Sequence, residues 1–463
     1  MRASFFGLET ALRALLAHQR AIDVAGHNVA NASTDGYSRQ RVVLSPGTAY
    51  PEPGLWWPAS ATQVGTGVVV EDIRRLRDSF LDRQYCRAAA DLAEWRARSS
   101  SLEQVEAIWN EPSEGGLAAT LQRFWASLQA LANDPESLAA RAAARESAAD
   151  LCLVINEVHR RLNEMRRSLD ASVRERVDEI NRLASEVQGL NREILRIRGQ
   201  GGQANDLEDR RQLLVDRLAE VAGARALPQA GGSLLVLLGS APLADAASWY
   251  PLEAQDDPAN GFLARVAWKG GGTPADIEGG ELKGLLDLRD SSLAAWIEAV
   301  EDMASALTDR LNAVHRAGFG LDGVDGRDFF DPAGGAGTMA LSAAVAQDAG
   351  AIAASASGAR GDGSNALALA GVRAEPLMAG ATVDQFWAGL VSEVGVLGAA
   401  AEGRVSAGEL LVAQVENQRQ SLSGVSVDEE MVSLVRYQHG YEAAARLMAA
   451  HREILAILFE YLA

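Results

Sequence analysis

The residues with the makings of chemistry in this chain are few and scattered. Gly318-Phe-Gly320-Leu-Asp-Gly323 fits the G-x-G-x-x-G spacing of a dinucleotide loop. Such a loop cradles phosphate only where it follows a strand and opens a helix, so that helix N-terminal amides meet the anion. Here it follows a helical pattern and runs into Asp322, Asp325 and Asp328, whose charges repel phosphate. The same aspartates miss the D-x-[DN]-x-[DN]-G spacing, and no Glu closes a twelve-residue calcium loop. The histidines, 18, 27, 159, 315, 439 and 451, form no H-E-x-x-H and no ligand-spaced pair with a carboxylate. Cys86 and Cys152 have no nearby thiol and no metal-site spacing, so they read as free structural thiols. No nucleophile elbow, Walker loop or kinase set occurs. Arg360-Gly361-Asp362 and Asn31-Ala-Ser33 are short matches in turn-forming sequence. The chain is therefore read as a non-enzyme, with no catalytic, metal or cofactor-binding residues and no cofactor.

Composition sets the frame for what is left. A chain of 463 residues exceeds one core and divides into two or three domains. A formal net charge of -19 at pH 7 argues against nucleic acid or an anionic membrane, because neutralising phosphates takes a basic face. No run approaches the roughly 18 apolar residues of a membrane span. Glu9 and Arg13 interrupt the segment a secretory signal would need. The expectation is a cytoplasmic protein, or one that leaves the cell by a route that cleaves nothing.

The positioning elements are at the ends. From Ser426 to Leu462 a line of side chains recurs in steps of three and four: Leu434, Tyr437, Tyr441, Ala444, Met448, His451, Leu455, Leu458 and Leu462, with Met431 at its head. That alternation is a coiled-coil seam, and about 37 helical residues would span roughly 55 Å. Ser426 and Glu429 stand in capping-box spacing. At the other end Phe5, Leu8, Leu12, Leu15, Gln19, Ile22, Gly26 and Val29 fall at the same spacing, with no proline before Pro46. The two helices are expected to pair, in either direction, and to offer apolar stripes to neighbours. The first helix runs into Asn28, Asn31, Ser33, Thr34, Asp35, Gly36 and Tyr37, where asparagine and glycine favour the left-handed conformation of a helix end.

The segment Asn28-Val-Ala-Asn31-Ala-Ser-Thr-Asp-Gly36-Tyr37-Ser-Arg39-Gln40-Arg41 resembles the signature of the bacterial flagellar axial proteins, the rod, hook and hook-associated subunits. Ser426-Val-Asp428-Glu-Glu-Met431, with Tyr437-Gln438 and Tyr441-Glu-Ala-Ala-Ala, resembles the matching C-terminal motif. Within that family, Leu190-Asn191-Arg-Glu-Ile194, Ala204-Asn205-Asp206-Leu207-Glu-Asp209-Arg210, Gly280-Glu281-Leu282-Lys283-Gly284-Leu285, and Asn312 with His315 and the Gly326-Arg327-Asp328-Phe329-Phe330 loop look like the hook–filament junction branch. Larger members carry a β-domain after the Phe-Phe loop. The short stretch from Phe330 to Leu369 leaves no room for it, so it is expected to be missing or vestigial.

Between the ends the chain alternates. Arg41 to Gly67, rich in proline and glycine and holding Trp56 and Trp57, reads as an extended arm. Val64 to Ile73 reads as a short strand pair around Gly65 and Gly67. Helices are predicted from Arg77 to Trp109, Gly116 to Leu131, Ser137 to Arg198 (about 90 Å long) and Leu207 to Ala222. In the longest, Leu151, Ile155, Val158, Leu162, Met165 and Leu169 keep a heptad, Val173 and Val177 make a stutter, and Ile180, Leu183, Val187, Leu190, Ile194 and Ile197 resume it. Ser233 to Leu238, Pro251 to Ala254 and Phe262 to Trp268 read as a small antiparallel sheet. Helix returns from Gly284 to His315 and from Thr382 to Leu422, with short strands over 338–375.

The fold class is thus mainly α with a smaller antiparallel β part, elongated and nested, the terminal helices forming one coiled-coil-like domain and a long helical rod another. The domains expected are 1–60 with 424–463, 61–227 with 280–423, a strand-rich piece at 228–279, and a strand-rich remnant at 331–375. The resemblance implies a structural adaptor joining hook to filament, with Asn28, Asn31, Thr34, Gly36 and Tyr37 as its motif. It also implies self-association in a ring or helix, contact with hook protein and a second junction protein, an export chaperone on the C-terminal helix, and uncleaved type III export to an extracellular flagellum. The alternatives are another axial subunit, hook or second junction protein, and a cytoplasmic coiled-coil scaffold.

Overall fold

The computed structural model describes residues 3–49 and 64–460, except the side chains of residues 3–5 and Leu458. The expectations for Trp56, Trp57, Phe5, Leu458 and Leu462 lie outside that description. The long proline-free stretch forms one helix, α4 (Leu138–Gly199), whose 62 residues extend roughly 93 Å at 1.5 Å per residue. The Ser137 hydroxyl accepts the Ala140 amide at its start, which satisfies one orphan donor of the first turn. Met165, Leu169, Val173 and Val177 are all buried, so three successive steps of four keep one face inward across the stutter. Beyond Ile180 the buried line runs through Ala184, Val187, Asn191 and Ile194, while Leu190 and Ile197 are only half-buried.

Against α4 pack α2 (Ser79–Trp109), α3 (Leu117–Asn133), α5 (Asn205–Ala222) and a helix in two segments, α6 (Gly280–Asp287) and α7 (Leu293–Arg316), joined by a wider turn at 288–292. Asn110 ends α2 in the left-handed conformation at φ 52°. The centre of the core is aromatic: Trp109 lies 5.8 Å from Trp296 and 5.1 Å from Trp387, centroid to centroid, and Phe124 meets both Phe329 and Phe330. A last body helix, α10 (Val383–Ser423), lies along α2. It starts in a reciprocal capping box of Thr382 and Gln385.

The β part differs from the sequence expectation in three places. β1 (Gln40–Pro46) pairs with β2 (Val68–Arg75), Val42 opposite Ile73. The expected hairpin within 64–73 is instead one strand of this longer-range pair, and part of the expected arm is the other. The strand-rich piece is two small sheets: β3 (Arg225–Pro228), β4 (Leu234–Leu238) and β5 (Ala241–Ala244) in order, and β6 (Leu252–Asp257) with β7 (Leu263–Trp268). β3 and β5 each hold a proline, which hid them from a pattern search. Over 338–375 the described residues form isolated bridges, Phe330 to Leu341 and Phe319 to Ser355, with two short helices, α8 (Ala343–Gln347) and α9 (Ser364–Gly371). The alanines there favour helix, and the stretch holds few of the β-branched residues a strand needs.

The chain closes on itself through α1 (Ala3–Ala30) and α11 (Val427–Glu460). No described helix is long and apolar enough to cross a membrane.

Candidate assembly site at the root of the terminal helices

α1 and α11 run antiparallel. Gly7 lies against the His451 ring, His18 against Gly440, Ala21 against Tyr437, and Asn28 against Glu430. As position rises along one helix it falls along the other. The line of α1 that meets α11 is therefore Gly7, Ala11, Ala14, His18, Ala21, Ala25 and Asn28, a heptad of mostly small residues. Ala11, Ala21 and Ala25 are at most 2% exposed. A Cβ added at Gly7 would fall 2.2 Å from the His451 ring, so that ring fills the space a larger residue would need there.

The sequence-derived line of α1 lies one position further on and does not make this contact. Leu8, Leu15, Ile22 and Val29 are half-buried, and Leu12 is 44% exposed. On α11 the sequence-derived line does turn inward: Leu434, Tyr441, Met448 and Leu455 are half-buried and Ala444 is buried, but Met431 is 49% exposed. The pair thus carries aliphatic side chains outside as well as inside. Also outside the pair are Leu16 on α1 and Val432, Ile454, Ile457 and Phe459 on α11, each about half exposed or more.

The motif residues meet at the inner end of this pair. Asn28 is still helical and 1% exposed. Its amide donates to the Gln40 carbonyl at 2.9 Å and to the Glu430 carboxylate at 3.0 Å. Its oxygen accepts the Gln40 amide at 2.9 Å and the Tyr37 hydroxyl at 2.8 Å. All its hydrogen-bonding capacity is used. Neither Asn28 nor Asn31 has positive φ, so asparagine acts here through its side chain, not through the left-handed backbone. Asn31 Nδ2 donates to the His27 carbonyl and its oxygen accepts the Thr34 hydroxyl, shaping the turn after α1. Gly36 does take φ 73°, and a Cβ there would meet Leu213 at 2.4 Å. Burial first, then Asp206, Asp209 and Glu430, pushes the Tyr37 hydroxyl up, so it stays a neutral donor.

Further residues of the resembling segments, with Arg75 and Ser423 from outside them, complete the junction. Asp209 on α5 accepts the Ser38 amide at 3.0 Å, the Ser38 hydroxyl at 2.7 Å and the Arg75 guanidinium at 2.7 Å. Arg39 bonds Glu429 and Glu430, both at 2.7 Å, and its amide donates to the Ser423 carbonyl. Burial opposes the Arg39 charge, and the two glutamates outweigh it. Glu429 is thereby diverted from the expected capping box, and only the Ser426 half remains, at 3.5 Å. The runs 28–41, 204–214 and 426–431, remote in sequence, form one buried polar joint between the terminal pair and the body. Fixed donors and acceptors suit this joint to holding an angle between two rods.

The tempting loop lies elsewhere. Asp322 pairs with Arg327 and Asp328 with Arg316, each at 2.6 Å. His315 Nδ1 meets the Arg327 carbonyl at 2.7 Å and its Nε2 accepts the Ala353 amide at 2.8 Å. Among the described residues no cluster of His, Cys, Asp and Glu could hold a metal.

Comparison with known proteins follows the same geography. The chain matches the flagellar hook-associated protein FlgK helical domain over residues 102–330, the flagellar basal body rod FlgEFG protein C-terminal family over 416–459, and the flagella basal body rod protein family over 8–37. Flagellar hook-associated protein 1 of Bacillus subtilis is 31% identical over 98% of both chains. The Escherichia coli protein of that name is 28% identical over 70% of this chain and 59% of its own length. The solved structure of the flagellar hook junction protein FlgK from Burkholderia pseudomallei superposes with a TM-score of 0.67 at 16% identity, covering 74% of this chain and all of that one. That likeness shows the fold.

Proposed function

This chain belongs to the flagellar hook-associated protein 1 family, structural components of the hook–filament junction, and from that premise we propose that it joins hook to filament by packing its terminal helix pair on the pairs of neighbouring copies. The observation that carries the proposal is the set of exposed apolar side chains left outside the pair, Leu12 and Leu16 on α1 and Val432, Ile454 and Phe459 on α11. A monomer gains nothing from exposing such a face, and burying it costs no further backbone ordering once the pair has formed.

In this reading residues 1–60 with 424–463 form the axial core, and the seam residues Leu8, Leu12, Leu15, Ile22, Val29 and Met431 make contacts between subunits. Leu434, Tyr441, Met448 and Leu455 hold the pair together. Asn28, Asn31, Thr34, Gly36 and Tyr37 set the angle at which the rod of α2 to α7 leaves the core. Hook protein on one side and the second junction protein on the other are the partners. An export chaperone covers α11 before assembly, and the chain reaches the extracellular flagellum uncleaved through the type III apparatus. The same features argue against a hook subunit, since the rod is built on a 62-residue helix.

The test is the double substitution Leu12→Asp with Leu16→Asp, expressed in cells lacking the native protein. Export and monomer melting should be unchanged while filament attachment and swimming are lost. Normal swimming would sink the proposal.

A further inference from the structure

A cavity of about 720 Å³ opens between the end of β2, the start of α2, α5 and the β3–β4 hairpin. Its cations are unevenly satisfied. Arg75 is bonded to Glu208 and Asp209, Arg77 to Asp82, and Arg198 to Glu208. Arg211 has no carboxylate. It is 4% exposed, and one terminal nitrogen donates to Asn191 at 2.8 Å and to the Gly232 carbonyl at 2.9 Å. Its Nε has no hydrogen-bond partner. At the rim Arg83 and Arg87 are exposed and make no ion pair among the described residues.

A buried guanidinium that lacks a counter-charge and has an idle donor is costly. Burial, reinforced by Arg75 and Arg198 and only partly offset by Glu208, pulls Arg211 down to about 10, so it remains a cation at neutral pH. An oxyanion offsets the mismatch: it neutralises the surplus charge of Arg211, and is met at the entrance by two more guanidinium groups. Arginine forks suit carboxylate and phosphate oxygens alike.

We infer that this cavity binds one oxyanion group, a phosphate or a carboxylate, against Arg211, with Arg83 and Arg87 guiding it in. The floor is shared with the assembly joint, because Arg75 bonds both Glu208 and the Asp209 that holds Ser38. The inference does not depend on the flagellar role.

The test is calorimetric titration of the full-length chain with inorganic phosphate and, separately, with glutarate, each against sodium chloride at matched ionic strength. Saturable one-site binding of either anion is expected, and arginine Nε–Hε NMR signals should show a single buried proton shifting with occupancy. Tighter phosphate binding assigns a free phosphate; tighter glutarate binding assigns a carboxylate side chain of an acidic segment. Arg211→Gln should abolish binding. Because that change disturbs Asn191, the double substitution Arg83→Ala with Arg87→Ala provides a second check: melting unchanged, affinity reduced several-fold. Heats no larger than those of chloride, an unmoved buried Nε–Hε signal, or full affinity in the rim variant would each overturn the inference.

Discussion

Asn28 donates to the Glu430 carboxylate at 3.0 Å across 402 positions of sequence. The bond fixes one helix near the chain's beginning to another near its end, and both residues are almost wholly buried. Asn28→Ala strands the Gln40 amide, the Tyr37 hydroxyl and a buried carboxylate. Each buried group left unpaired costs about 1–3 kcal/mol. The loss should fall on the joint, not on the body. Hydrogen exchange should quicken across α1 and α11 while protection in α4 stays the same; uniform loosening of the whole chain would count against a separate joint.

The small-residue line of α1 predicts a contrast between adjacent faces. Ala21→Leu pushes a large side chain into the contact with Tyr437, and overpacking of this kind costs about 1–3 kcal/mol. The terminal pair should open to limited proteolysis. Leu16→Ala, on a side chain already 55% exposed, should alter monomer stability by no more than about 0.5 kcal/mol. Equal damage from both would mean the two faces are not distinct in solution.

His315 predicts an acid-sensitive body. Burial holds this imidazole down to about 4 from an ordinary 6.5. Its Nε2 must stay unprotonated to accept the Ala353 amide. The unfolded chain takes up the proton first as pH falls. The stabilisation is thus complete above pH 6.5 and fades between 6.5 and about 4, reaching a loss of about 3 kcal/mol at the bottom of that window. Urea midpoints taken through it should fall with acid, and His315→Gln should flatten that dependence while lowering the midpoint at neutral pH. A wild-type midpoint that is level from pH 7 to 4.5 would refute the assignment.

Arg289 predicts the largest single loss in the rod. Its side chain is 1% exposed and bonds Asp170 at 2.6 Å, Asp290 at 2.8 Å and the Ala264 carbonyl at 2.8 Å. Arg289→Ala removes one of the two arginines bonded to Asp170, which keeps Arg174 and the Ala264 amide, so the loss should approach but not exceed the about 3–5 kcal/mol of a buried charge left wholly unpaired. Denaturant melting should show it. Arg289→Ala with Asp170→Asn should recover part of the loss.

What could be foreseen from the residues follows the kind of signal each element carries. α4 declared itself because its heptad is long, aliphatic and unbroken by proline. The terminal helices did too, but the contact face of α1 did not. A periodicity search rewards bulk, and here the bulkier of two neighbouring lines, Leu8 to Val29, flanks the contact while Gly7 to Asn28 makes it. Asn191 was named only through resemblance, for a related reason: a polar residue on a buried face is held by bonding Leu234 from both ends of its amide, which no periodicity encodes. Asn28 was singled out through resemblance, yet its role was misread as backbone conformation. The short strands with prolines escaped because long-range packing sets them more than local propensity, whereas the helices of 338–375 follow an alanine propensity that the strand reading passed over.

The antiparallel register has a geometric outcome at the end of the molecule far from the joint. Gly7 and His451 sit side by side there, so whatever precedes the one and follows the other emerges at a common pole. A reporter domain or affinity handle would leave the pair from that same pole whether it is attached at the front of the chain or at the back.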